Sequence, residues 1–170
     1  MTWTLILGGA RSGKSSYALR AAEASNRAMV MIATAQAFDD EMADRITRHR
    51  KERGGRWRTI EEPLDLSTVL GRVGPEEIAV IDCLTLWVSN LIHAERDVSR
   101  ETNRLIAAMR GKNGLLISNE VGFGIVPDNA LARLFRDEAG RVNQVVAAAA
   151  DRVVLIAAGL PLVLKEPEPS

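Results

Sequence analysis

Residues 8–15 read Gly8-Gly9-Ala10-Arg11-Ser12-Gly13-Lys14-Ser15, between the apolar run Trp3–Leu7 and the Ala- and Leu-rich stretch Lys14–Asn26. The spacing is that of G-x-x-x-x-G-K-[ST], in which a buried strand breaks into a glycine-rich turn and restarts as a helix. Small residues let consecutive backbone N–H groups converge, and the helix N-terminus adds partial positive charge, so the segment is built to cradle phosphates. In this pattern Lys14 reaches the β and γ phosphates of ATP or GTP, and the Ser15 hydroxyl faces Mg²⁺. The ion needs a second, acidic anchor at a neighbouring strand end, and Asp82, closing Ile78-Ala79-Val80-Ile81, is the candidate.

Working outward, Met29–Thr34, Ile78–Asp82, Gly114–Asn119 and Val153–Ala157 share the near-continuous apolar character of parallel strands covered on both faces, and Leu162–Leu164 reads as a last short strand. Helix-like segments at Asp39–Arg53, Leu84–Ala94, Val98–Gly111 and Asp128–Ala150 lie between them. Alternation of this kind predicts an α/β fold with a mostly parallel sheet and crossover helices. Asp128 is the expected N-cap of the longest helix, with Leu131, Phe135, Val142, Val145 and Ala149 as its core stripe.

A chain of 170 residues is enough for one such domain, expected to span residues 1–170 with 166–170 as a frayed, proline-broken tail. Basic and acidic residues balance at 22 each, which gives no reason to expect nucleic acid or an anionic membrane as partner. The single cysteine, Cys83, forms no internal disulfide, the start lacks the character of a signal peptide, and no apolar run is long enough to span a bilayer. A cytoplasmic protein is expected.

Positive charge is nonetheless concentrated locally. Arg45, Arg48, Arg50, Lys51, Arg53, Arg56 and Arg58 stand against one acid, Glu52. Such a run is ordinarily a solvated face, but beside a phosphate loop it also suits a triphosphate. His49 lies within it, with Arg45 one helical turn earlier. Neighbouring cations favour the neutral imidazole, the form that attacks phosphorus. From these residues alone His49 is a nucleophile, a phosphate contact or a surface histidine, whereas His93 reads as structural.

Several ordered blocks carry a more specific signal. Beyond the phosphate loop they are Ile32-Ala33-Thr34-Ala35, Asp39-Asp40-Glu41-Met42, Arg45-Ile46-Thr47-Arg48-His49-Arg50, Trp57-Arg58-Thr59 and Glu61-Glu62-Pro63. Asp82-Cys83-Leu84-Thr85, Asn90-Leu91, Ser118–Pro127, Phe135-Arg136-Asp137 and Gly140–Gln144 follow. Together they resemble the bifunctional adenosylcobinamide kinase/adenosylcobinamide-phosphate guanylyltransferase family over nearly the whole chain. The resemblance implies a RecA-like phosphate-loop fold and two reactions on a corrinoid. The first phosphorylates the aminopropanol hydroxyl, and the second transfers GMP from GTP onto that phosphate through a guanylyl-histidine, here His49. It also implies guanine-nucleotide contacts from Ala33, Thr34, Ala35, Arg50, Lys51, Glu52, Arg53 and Glu62, with Glu61 adjacent, and a part for Asp82 in Mg²⁺ and nucleotide binding. A small homo-oligomer, with a trimer as one form, is implied as well. Glu120, at a strand's carboxyl end, is left with two readings: activating the substrate hydroxyl, or bonding the turn Val121–Gly124. The competing functions are a phosphate-loop small-molecule kinase or NTPase without guanylyl transfer, and a nucleotide-dependent switch.

Overall fold

A computed structural model describes residues 2–35 and 57–167. The strands are β1 (Trp3–Gly8), β2 (Ala28–Ala33), β3 (Trp57–Glu61), β4 (Glu77–Asp82), β5 (Asn113–Asn119), β6 (Arg152–Ala157) and β7 (Leu160–Lys165). The helices among the described residues are α1 (Lys14–Ala24), α2 (Leu66–Gly71), α3 (Leu84–His93), α4 (Val98–Met109) and α5 (Ala130–Ala149). The expected helix Asp39–Arg53 lies outside the described residues, as do residues 168–170 of the tail.

The strands form one sheet in the order β3-β2-β4-β5-β1-β6-β7, parallel throughout except for the closing β6–β7 hairpin. Successive residues point to opposite faces, so the apolar runs feed two cores. Leu5, Val30, Ile32, Ile81 and Leu116 pack on one side with Leu70, Trp87, Leu105 and Val146 from the helices. Ile6, Met31, Val80, Ile117 and Val154 pack on the other, where α1 contributes Ala18 and Ala22.

The sequence did not announce two elements. β3 carries the mixed sequence WRTIE and only Trp57 is buried, the character of a sheet edge. α2 is six residues long, too short for a helical period to show. In α5 the N-cap is Asn129 rather than Asp128: its Oδ1 accepts from the N–H groups of Leu131 and Ala132 at 2.8 and 3.1 Å. The buried stripe is also rotated from the expected one. Ala139, Val142 and Val146 face the core with Phe135 packed against it, while Leu131, Val145 and Ala149 are exposed.

β7 is exposed along its length, including Leu160, Leu162, Val163 and Leu164. It is held at its far end by Lys165, whose Nζ donates to the carbonyls of Ala147, Ala148 and Ala150 at 3.2, 2.9 and 2.6 Å. Those carbonyls belong to the end of α5, where helical partners run out and the helix dipole favours a cation.

In α4, on the same side of the sheet as α5, Glu101 is 3% exposed and lies within ion-pair distance of Arg96, Arg100 and Arg104. Arg96 also bridges to Asp65, the residue that precedes α2, tying α2 to α4. No helix among the described residues is long and apolar enough to cross a membrane.

Candidate functional site

The phosphate loop leaves the carboxyl end of β1 and enters α1. Gly8 is required by close approach: a Cβ there would lie 2.5 Å from the Ile156 carbonyl and 2.7 Å from Ser12 Oγ. The loop is tied on both flanks to the strands beside β1. Glu120 N donates to Gly8 O at 3.1 Å from the end of β5, and Gly159 N donates to Ser12 O at 2.9 Å from the β6–β7 turn. Gly13 takes φ +100°, a left-handed conformation that leads into the first turn of α1.

Lys14 is 7% exposed, and its Nζ donates to the Gly9 carbonyl at 2.6 Å. Burial pushes its pKa below the ordinary value, while Cys83 and Asp82 act in the opposite sense. The ammonium and the Asp82 carboxylate therefore feel one another across the sheet's carboxyl edge, although their strands β1 and β4 are separated by β5. Ser15 follows Lys14 in the first turn of α1. A hydroxyl and a carboxylate are hard oxygen donors, which suits Mg²⁺, an ion that keeps several waters and needs few protein ligands. Among the described residues no cluster of three or more acidic, histidine or cysteine side chains competes as a metal centre.

The ends of β2, β3 and β4 are clamped by side chains whose partners are distant in sequence. Thr34 is 0% exposed; its hydroxyl donates to Cys83 O and accepts from Cys83 N, both at 2.8 Å. Its backbone N–H donates to Asp82 O at 3.0 Å. Asn90 Nδ2 donates to Thr34 O at 2.9 Å and to Pro63 O at 3.1 Å, bracing the end of β2 against the segment after β3. The Thr34 hydroxyl is thus turned into the protein, which leaves its neighbours Ala33 and Ala35 as the half-exposed parts of that segment. Glu62 is partly committed as well: its Oε1 accepts from the N–H groups of Leu64 and Asp65, both at 2.9 Å, fixing the entry to α2.

A second polar chain holds β5. Asn119 N donates to Thr85 Oγ1 at 2.6 Å, Thr85 Oγ1 lies 3.3 Å from Ser118 Oγ, and Asn143 Nδ2 donates to Asn119 O at 3.3 Å. Glu120 bonds the glycine-rich turn, its Oε1 accepting from Gly122 N at 2.6 Å. His93 is exposed at the end of α3, with Nδ1 2.7 Å from Ser89 O. Thr85, Asn90 and Asn143 had no chemical signature of their own in the sequence; their place in the ordered blocks was the one available hint.

The structure therefore gathers Gly8–Ser15, Ala33–Ala35, Glu62 and Asp82 at the carboxyl ends of β1 to β4, where ligands collect in open α/β sheets. His49 and Arg50, Lys51, Glu52 and Arg53 lie outside the described residues.

Among solved structures, the flagellar accessory protein FlaH of Methanocaldococcus jannaschii is similar in fold, with a TM-score of 0.57 over 98% of this chain and 79% of that one at 12% identity. The shared architecture is the RecA-like phosphate-loop fold. In sequence, the chain is 45% identical over 166 residues to the bifunctional adenosylcobalamin biosynthesis protein CobP of Pseudomonas aeruginosa, covering 95% of this chain and 96% of that protein. It is 40% identical over 179 aligned positions to the bifunctional adenosylcobalamin biosynthesis protein CobU of Escherichia coli and 42% to that of Salmonella typhimurium, covering 95% of this chain and 98% of each. Residues 4–164 match the family model for cobinamide kinase / cobinamide phosphate guanyltransferase, and the chain belongs to this family of bifunctional enzymes.

Proposed function

We propose that this enzyme phosphorylates adenosylcobinamide with ATP or GTP and then transfers GMP from GTP to the resulting phosphate, through a guanylyl group carried on His49. The observation that carries the reading is the juxtaposition of a complete phosphate loop with Asp82 across the edge of the sheet, in a chain of this family.

In the first reaction the substrate hydroxyl oxygen attacks the γ-phosphorus and loses its proton, while the bond to the β-phosphate oxygen breaks and the nucleoside diphosphate leaves. Lys14 and the backbone N–H groups of Gly9–Ser15 neutralise the charge that shifts onto the bridging and non-bridging oxygens. Ser15 and Asp82 would hold Mg²⁺, which supplies further charge neutralisation on the phosphates. In the second reaction a ring nitrogen of His49 attacks the α-phosphorus of GTP. The Pα–O bond to the β-phosphate breaks, pyrophosphate leaves, and the corrinoid phosphate oxygen then displaces histidine from phosphorus to give the GDP-linked product. Ala33, Ala35 and Glu62 at the neighbouring strand ends, with Arg50, Lys51, Glu52 and Arg53, serve the guanine nucleotide in this scheme.

Incubation with α-³²P-GTP and Mg²⁺ tests it. Wild type is expected to acquire an acid-labile, base-stable label, His49→Ala to acquire none, and Lys14→Met to weaken both the labelling and adenosylcobinamide phosphorylation. Label persisting in His49→Ala removes the nucleophile assignment. Phosphorylation without any label in wild type leaves a kinase alone.

A further inference from the structure

β5 lies between β1, which leads into the phosphate loop, and β4, which ends at Asp82. The chain leaving β5 thus emerges at the carboxyl edge of the sheet between the strand that leads into the phosphate loop and the strand that ends at Asp82. That chain has unusual chemistry for the rim of an anion site. Phe123 is 85% exposed, Ile125 96% and Val126 60%, three large apolar side chains in four residues.

Both ends of this segment are fastened. On one side Glu120 is bonded through its N–H to Gly8 O and through its carboxylate to Gly122 N. On the other, Asn129 caps α5, and Arg133 Nη1 donates to the carbonyls of Pro127 and Asp128 at 3.0 and 2.6 Å. Apolar side chains are therefore presented to solvent from a segment anchored at each end, beside the reaction centre. Large apolar side chains exposed this fully within one short segment point to a contact surface. Neither a triphosphate nor a small polar acceptor would use it. A corrinoid would, because its macrocycle is broad and offers ring carbons and methyl groups between its peripheral amides, while its reacting hydroxyl hangs from one side chain.

We propose that Phe123, Ile125 and Val126 form the seat for the corrin macrocycle, holding the acceptor hydroxyl against the terminal phosphate. The proposal rests on the function given above, and it assigns the corrinoid subsite to the loop after β5. The segment's continuity with the phosphate loop favours this occupant over a second copy of the chain.

Phe123→Ser, Ile125→Ser and the combined Phe123→Ser/Ile125→Ser/Val126→Thr variants test it in the full-length enzyme, with Leu164→Ser on the remote end of β7 as a control. Corrinoid affinity is read by equilibrium dialysis of adenosylcobinamide followed by its visible absorption, and KM is measured for adenosylcobinamide and for nucleotide separately. We expect Phe123→Ser to weaken adenosylcobinamide binding about tenfold, the scale of one large apolar contact withdrawn. The combined variant should weaken it further, while the nucleotide KM and the Leu164→Ser control stay at wild-type values. Unchanged adenosylcobinamide affinity in the combined variant of an active enzyme overturns the seat and leaves the function standing. Wild type that neither binds nor phosphorylates adenosylcobinamide overturns the function itself. Loss of a wild-type oligomer in the combined variant, seen by sedimentation with adenosylcobinamide affinity intact, identifies a subunit contact and refutes the seat.

Discussion

Exchanging Thr34 for valine keeps the shape of a β-branched side chain and deletes one hydroxyl. That hydroxyl serves both the N–H and the carbonyl of Cys83, at 2.8 Å each, with no exposure to water. Valine leaves the Cys83 N–H without its partner, whereas the Cys83 carbonyl still accepts from Trp87 N at 3.1 Å, so Thr34→Val should destabilise by about 1–3 kcal/mol. Whole proteins hold only about 5–15 kcal/mol in reserve. For a chain of this size the midpoint of thermal unfolding falls by about 2–4 °C per kcal/mol, which places the expected loss at about 2–12 °C. Thr34→Ser keeps the hydroxyl and sheds a buried methyl, and should cost only about 1 kcal/mol. Urea titration followed by tryptophan fluorescence, with a thermal melt alongside, measures both. A valine variant within about 0.5 kcal/mol of wild type, well under the cost of one orphaned group, would refute the clamp. So would a serine variant that falls as far as valine.

Two further outcomes follow from packing and from protonation. A Cβ at Gly114 would lie 2.2 Å from the ring of Trp3, itself pinned by its indole N–H to Met109 O at 2.8 Å, so Gly114→Ala should cost about 1–3 kcal/mol or more in urea titration; a neutral result would mean the ring moves freely. Burial, reinforced by the Asp82 charge, pushes the Cys83 thiol from 9.0 up to about 11. The folded state then holds this proton more tightly than the unfolded chain, so its contribution is complete below pH 9 and is lost as pH rises toward 11. The loss is about 3 kcal/mol. Wild type should therefore weaken more steeply than Cys83→Ala over that interval, and equal slopes would sink the assignment.

The parts of the molecule legible in the sequence are those specified by local chemistry. Eight consecutive residues determine the turn from β1 into α1, because small side chains and a lysine suffice to define it. Continuous apolar runs disclosed β1, β2, β4, β5 and β6, since strands covered on both faces need no alternation. β3 escaped because an edge strand half in water carries arginine and threonine among its apolar residues. The helical stripe of α5 was misphased where Val145 and Val146 stand side by side: composition cannot tell which of two identical neighbours turns inward, and the sheet makes the choice. Asp128 and Asn129 posed the same problem as caps. The clamps were illegible for a different reason. Thr34 meets Cys83 across 49 positions, Asn90 meets Thr34 across 56, and Asn119 meets Thr85 across 34, distances over which only the finished topology brings them together.

Lys165 gives the carboxyl-terminal hairpin a significance that its exposure alone would hide. A solvent-washed margin of leucine and valine ordinarily invites other chains to add strands. Here three carbonyls at the close of α5 receive one ammonium, so the margin is moored to the helix whose opposite end follows the apolar loop. Unmooring it with Lys165→Met would free the outer ribbon to peel, and its first consequence should be felt in solubility rather than in chemistry.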